Sequence, residues 1–216
     1  MRMIMKKNIT AIAVGALCAA WAGTWAQAST AAAGTGEHCT YAVDASQAKV
    51  EWTAYKTTEK VGVKGTFAKV EIKAGKPAAS IPALLDGASA SIEGLSVDSG
   101  NPVRDENLRK GFFGLLAKGA SIQGKLAKAK GDATQGELVL ELSMNGKLGK
   151  VPMKYTVGDA GLEATGSMDI LNLGGAKALE SLAQLCFEQH KGKDGVSKTW
   201  SEVGLRIAAP VSKTCK

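Results

Sequence analysis

The sequence predicts an all-β domain, folded as a closed barrel or a sandwich, with one short helix near residues 175–190. Three observations carry that prediction. Apolar and polar residues alternate with period two through most of the chain beyond residue 41, the pattern of strands with one buried face. Turn residues punctuate the alternation, notably Asn145-Gly146 and Gly158-Asp159-Ala160-Gly161. A single stretch switches to helical spacing: Leu179, Leu182 and Cys186, widened by Ala178 and Leu185.

The first 28 residues predict targeting rather than fold. Arg2, Lys6 and Lys7 form a basic start, Ile9 to Ala22 an uncharged apolar run, and Ala26-Gln27-Ala28 a small-x-small cleavage pattern. We therefore expect a signal peptide over 1–28 and a mature start at Ser29. The run is shorter than the roughly 20 residues that span a bilayer. Leu17, not a small residue, precedes Cys18, which argues against lipidation. Residues 29–38 are rich in Ser, Thr, Ala and Gly and read as a flexible lead-in, leaving 39–216 as the domain. Cleavage removes three basic residues and takes the net charge from +7 to +4. The remaining lysines alternate with acidic residues and form no block with aromatics, which argues against nucleic-acid binding. The mature chain is expected to be soluble.

The strands follow in order. Val50, Trp52 and Ala54 share one face. Val61, Val63, Gly65 and Phe67 form the next inward row, and Val70 and Ile72 continue it past a bulge. Pro77 and Pro82 bracket a loop. Ala88, Ala90 and Ile92 lead to Leu95 and Val97. Ile122 and Leu126 come after a loop at 97–113. Leu138, Leu140, Leu142 and Met144 precede Met153, Tyr155 and Val157. Leu162, Ala164, Gly166 and Met168 follow, and Val203, Leu205 and Ile207 close the series. The helix either docks its apolar stripe on the exterior or mouth, or covers an opening as a lid; Gly192 is its expected stop. The inward rows carry no charge and mix Trp52 and Phe67 with small residues. Such a mixture suits either close packing or a cavity.

The loop Val97–Phe113 holds a Gly-Asn-Pro turn, Arg104-Asp105, Leu108 and Phe112-Phe113. On an extended chain adjacent side chains face opposite sides, so one Phe can plug a core while its neighbour points elsewhere. With Tyr41-Ala42-Val43-Asp44, Gly62–Phe67 and Leu142–Pro152, this loop resembles the YceI-like family over roughly residues 41–209. The resemblance implies an exported, lipocalin-like, eight-stranded antiparallel up-and-down barrel whose tunnel holds a polyisoprenoid, a quinone precursor or another long-chain lipid. Gly114-Leu115-Leu116 stands where the family carries Asp and a Tyr-Pro strand start, and Asn145 where it carries His.

In such a barrel the first and last strands are antiparallel neighbours, which favours a Cys39–Cys215 bridge over Cys186–Cys215. The chain-entropy contribution would be about 4–5 kcal/mol. The expected tunnel residues are Trp52, Phe67, Ile92, Leu108, Phe112, Phe113, Met144 and Met153. Arg104 would anchor the loop, through an ion pair with Asp105 or another carboxylate, or meet a polar head. No catalytic residue, metal site or cofactor is expected. His38 and His190 have no nucleophile beside them, and no Gly-x-Ser-x-Gly elbow or phosphate loop occurs. The expected role is a periplasmic lipid carrier or sequestering protein; the resemblance also allows a homodimer. The alternative is a barrel with a filled core acting as an envelope-stress or protein-interaction module.

Overall fold

The computed structural model describes residues 38–216; the expected signal segment and lead-in residues 29–37 lie outside the described residues. In chain order the elements are β1 (Cys39–Val43), β2 (Lys49–Lys56), β3 (Val61–Phe67), β4 (Val70–Lys73), α1 (Ile81–Leu85), β5 (Ser89–Glu93), β6 (Val97–Asp98), α2 (Pro102–Gly111), β7 (Ser121–Gly131), β8 (Gln135–Met144), β9 (Lys147–Gly158), β10 (Gly161–Asp169), α3 (Ala176–Leu185), β11 (Thr199–Ala209) and β12 (Val211–Cys215). Short 3-10 turns occupy 113–115, 170–173 and 188–190.

The all-β antiparallel class stands, and the count of eight strands needs correction. Ten segments form the main sheet, in the order β4-β5-β7-β8-β9-β10-β11-β2-β3-β6, and β1 pairs separately with β12. The extra segments come from interruptions. At the break between β3 and β4, the Ala68 N–H donates to the Ser96 carbonyl at 2.8 Å. The Lys69 N–H donates to Ser96 Oγ at 3.0 Å. The Glu93 N–H donates to the Lys69 carbonyl at 3.2 Å. These bonds carry the ladder across the bulge. β3–β4 is therefore one bent strand, pairing β2 on one side and β5–β6 on the other. The sheet curls until its two ends are pieces of the same two strands, eight passages in all.

The seam joins β2 to β11, with Trp52 opposite Leu205. Beyond the turn at 45–47 and Pro210 the same ribbon continues as β1 and β12, where Cys39 faces and bonds Cys215. The cysteines thus lie within this extra ribbon rather than just outside the end strands. Among the described residues Cys186 is the free thiol, and it is buried.

Because the passages alternate in direction, α2, α3 and the 3-10 turns gather at one end, and α1 lies at the other. α1 was not expected from the sequence. Ser80 Oγ accepts the Ala83 N–H at 3.3 Å, and Ile81, Leu84 and Leu85 are buried as a plug. α2 replaces the expected loop at 97–113. Asn101-Pro102 is its cap and first helical residue, not a free turn: Asn101 Oδ1 accepts the Arg104 N–H at 3.0 Å. α3 ends at Leu185, short of the expected 190 and of Gly192. The chain is drawn back to β11 by competing bonds, Lys198 N–H to the His190 carbonyl at 3.1 Å and His190 Nδ1 to Thr199 Oγ1 at 2.6 Å.

One side of the interior is packed solid. Leu138, Val151, Met153, Tyr155 and Ala164 are buried there. Tyr155 donates its hydroxyl to the Asp132 carbonyl at 2.8 Å, and its ring fills a notch that a Cβ at Gly136 would close.

Candidate functional site

The other side of the interior is hollow. A cavity of about 200 Å³ lies among the inward rows of β2, β5, β7, β8 and β11. Its walls follow directly from the alternation. Val50, Trp52 and Ala54 face Val203, Leu205 and Ile207 across the seam; Ala88, Ala90 and Ile92 adjoin Ile122, Gly124 and Leu126. Leu140, Leu142 and Met144 continue round. The small residues Ala54, Ala88, Ala90 and Gly124 leave the space that bulkier rows would fill.

The aromatic wall is fixed rather than loose. Trp52 Nε1–H donates to the Thr66 carbonyl at 3.2 Å, and its ring lies where a Cβ at Gly65 would collide with it. Phe113 packs edge-on against Phe67 at 5.7 Å and against Phe112 at 5.1 Å. Both Phe112 and Phe113 are buried and both line the cavity, so neither is turned away as alternation on an extended chain would have it. The alternation rule assumes an extended chain. Phe112 sits at the end of α2 with φ −122° and ψ −71°, which turns both rings to one side.

Of the expected tunnel residues, Trp52, Phe67, Ile92, Leu108, Phe112, Phe113 and Met144 line the cavity, and Met153 does not. Met153 is buried in the packed side, across from Gly166, with its Cγ 2.9 Å from where a Gly166 Cβ would stand. Arg104 anchors the loop, but not through the ion pair proposed for it. Its Nε and Nη2 donate to Ser99 Oγ at 2.8 Å and to the Ser99 carbonyl at 2.7 Å. Buried Asp105 accepts the Ser99 N–H at 2.8 Å and the Ser99 hydroxyl. Ser99 thus stands between the two charges.

The two ends of the cavity differ. Leu84 of α1 contributes to the floor, while Leu179 and Leu182 of α3 cover the opposite end. That places the helix at the mouth, a position that both readings of it allow. Beside it the cavity meets a second chamber of about 270 Å³, sharing Trp52, Ala54, Leu108, Leu182 and Thr199. Its remaining walls include Lys56, Asn101, Arg104, Asn107, Cys186, Gln189 and His190. Lys56 Nζ donates to the Gln189 carbonyl at 3.1 Å, and Asn107 Nδ2 lies 3.5 Å from Cys186 Sγ. Burial, and then the charge of Lys56, hold His190 below the ordinary histidine range. Burial pushes the Cys186 thiol upward.

Sequence reasoning missed this polar chamber and the floor. The Ser80-Ile81-Pro82 start of α1 is a legible N-cap signal. Lys56 and His190 carry none: at a strand end and a helix end each looks like an ordinary solvated residue.

A search of the curated proteins found no match. Among solved structures, the chain is similar to a polyisoprenoid binding domain from Saccharophagus degradans implicated in plant cell wall breakdown. The TM-score is 0.51 at 15% identity, covering 79% of this chain and 98% of that one. It is also similar to BcnA from Burkholderia cenocepacia, with TM-score 0.50 at 19% identity, covering 79% and 99%. At these identities the likeness speaks for the fold. The sequence profile of the YceI-like domain matches residues 41–207, most of the chain, and the protein therefore belongs to the YceI-like family.

Proposed function

We propose that this protein binds a long-chain apolar lipid, a polyisoprenoid or quinone precursor, in the barrel cavity and carries or sequesters it in the periplasm. The observation that carries this reading is the apolar hollow between the α1 floor and the α3 cover. A dry cavity of this lining favours an apolar guest. Each CH₂ taken from water contributes about 0.8 kcal/mol, so a tail can be held with few polar contacts. The polyisoprenoid-binding relative supports the same ligand class.

Export rests on the basic-apolar-small pattern of residues 1–28, and the Cys39–Cys215 bridge suits an oxidising compartment. The role is binding rather than turnover. Solvent extraction of the purified protein followed by mass spectrometry is expected to recover a lipid in near-stoichiometric amount. Intact mass is expected to place the mature start at Ser29. An empty extract, together with no uptake of added prenyl lipids, would overturn the proposal.

A further inference from the structure

We propose that the tip built from residues 113–120, the β8–β9 hairpin and the segment 170–177 docks this end of the barrel on an anionic lipid bilayer. Docking involves only the outer surface and does not depend on what the cavity holds.

Three separate segments meet at this tip, and one side chain ties them together. Asn145 Oδ1 accepts the Ala117 N–H at 2.8 Å. Its Nδ2 donates to the Gly174 carbonyl at 2.9 Å and to the Leu173 carbonyl at 3.3 Å. Each segment carries one large apolar residue into solvent. Leu115 precedes Ala117, Leu148 follows Asn145 and Leu171 precedes Leu173; they are 54%, 69% and 49% exposed. Exposed leucines held on one tip, rather than scattered singly, mark a surface that something covers.

The charges favour lipid as the covering. Each segment also carries an exposed lysine: Lys118, Lys147 and Lys177. Lys118 Cε lies 3.9 Å from where a Cβ on Gly146 would stand, and Lys147 Cε 3.4 Å from where one on Gly174 would, so both reach across the joints that Asn145 ties. None of the three lysines forms an ion pair among the described residues. Residues 113–120, 143–149 and 170–177 contain no Asp or Glu. Of the bordering carboxylates, Asp169 Oδ1 accepts the Leu171 N–H at 2.9 Å, and Glu180 sits on the next turn of α3. In a bilayer surface the lysine stems can lie along the leucines while their ammonium groups reach the phosphates.

A protein partner fits less well. Protein interfaces concentrate aromatic residues, Met and Arg at their centre and are poor in Lys. Here the large apolar side chains are leucines, and each has a lysine close by in sequence. Phe187, another exposed apolar residue at this end, is placed differently. Lys191 Nζ lies 5.0 Å from the centre of its ring and pairs with Glu188 at 2.8 Å. That lysine is committed within the protein, and those of the tip are not. At the base of the tip Met144 and Ile170 line the cavity, so docking sets the mouth against the bilayer.

Vesicle cosedimentation tests this. The mature protein, starting at Ser29, is mixed at physiological ionic strength with sucrose-loaded vesicles of phosphatidylcholine alone, or of equal parts phosphatidylglycerol and phosphatidylcholine. Binding to the anionic vesicles is expected to be about a hundredfold tighter, from about fivefold for each lysine near the surface. Lys118→Gln, Lys147→Gln and Lys177→Gln together should remove that preference. Leu148→Ser with Leu171→Ser should weaken binding to the anionic vesicles about tenfold or more. Lys125→Gln, Lys130→Gln and Lys154→Gln remove the same charge from exposed positions on β7 and β9. Screening over about 8 Å should keep their effect within about twofold. Every substituted side chain is exposed, and matching melting curves are expected to show the fold intact. Equal binding to the two vesicle types overturns the docking. So does unchanged binding in the leucine pair, or an equal loss in the β7–β9 set. Dimers that form without vesicles and are dispersed by Leu148→Ser would assign the tip to a second copy of the chain, and overturn it too. Absence of vesicle binding, with lipid still recovered on extraction, overturns the docking and leaves the lipid-binding reading standing.

Discussion

The α1 end and the α2–α3 end of this barrel are built from the same alternating strands to opposite purposes. At the α1 end Ile81, Leu84 and Leu85 plug the opening, and the β1–β12 ribbon ties the seam with a disulfide. At the other end large apolar side chains are left in solvent, among them Val103, Leu115, Leu148, Leu171, Leu185 and Phe187. The backbone differs as well. Thr57, Lys60, Lys118, Ala120 and Asn145 take positive φ at the mouth, a conformation costly for residues with a Cβ, against Lys128 alone among non-glycine residues beside α1. Stability is concentrated where the barrel is shut, and strain and exposure where a ligand would pass.

That contrast is open to direct attack, and the disulfide gives the largest effect. It closes a loop spanning 176 residues, for which loop entropy gives up to about 5 kcal/mol. Replacing both Cys39 and Cys215 by Ser is expected to lower the unfolding free energy by several kcal/mol in urea titrations. Lipid retention should survive wherever the protein remains folded. Lost retention in a folded variant would show that the seam also sets the cavity, and the division between the two ends would fail.

A paired substitution sharpens the distinction between packed and hollow sides. Ala164 is 0% exposed within the packed side, so Ala164→Leu is expected to cost about 1–3 kcal/mol by overpacking. Ala90 faces the cavity, so Ala90→Leu should be neutral or stabilising while it reduces the amount of lipid extracted. Equal destabilisation by the two variants would mean that the space beside Ala90 is not available to a side chain.

Much of this was legible in the residues. Period-two alternation located the inward rows and most of the cavity wall, because in a barrel the buried face of every strand points to the same interior. The bulge at Ala68-Lys69 was readable as a break in that period, and it then divided one strand into two segments. What alternation cannot give is how far each row projects. Met153 and Met144 have the same pattern, yet Gly166 opposite Met153 lets its side chain fold into the packed side. Phe112 and Phe113 both line the cavity as expected, but the rule for an extended chain does not describe the helix end that places them there. The polar chamber was invisible because Lys56, Arg104, Asn107 and His190 come from three separate segments, and only closure of the barrel brings them together.

A smaller effect on stability is expected from the α3 cover. Leu182 is partly buried between the cavity and the mouth chamber. Leu182→Ala should cost up to about 2 kcal/mol, less than truncation of a fully enclosed leucine. Its main consequence should be kinetic: stopped-flow displacement is expected to show a several-fold faster release of bound lipid. An unchanged release rate would place the route for the lipid elsewhere than beneath α3.

The smallest effect concerns His190, and its sign is fixed by the environment. Burial and the charge of Lys56 make protonation harder in the folded protein than in the unfolded chain. The unfolded chain therefore binds more protons once pH falls below the ordinary histidine value of about 6.5. His190's contribution is complete above that pH. It declines as pH drops towards the lowered folded value, then levels off. Hydrogen bonding also holds Asp44, Asp132, Glu59 and Glu106 below the ordinary carboxylate range, so their contributions are lost mainly below about pH 4.5. The interval from about pH 6.5 to 5 thus isolates the histidine. Melting curves should show a fall in Tm across this interval that His190→Asn reduces. Amide exchange should quicken at residues 186–199 and leave α1 unchanged. Equal pH dependence of the two proteins would show that His190 does not feel a buried, positively charged mouth. Faster exchange at α1 would instead mean that the two ends of the barrel yield together, and the contrast between them would be lost.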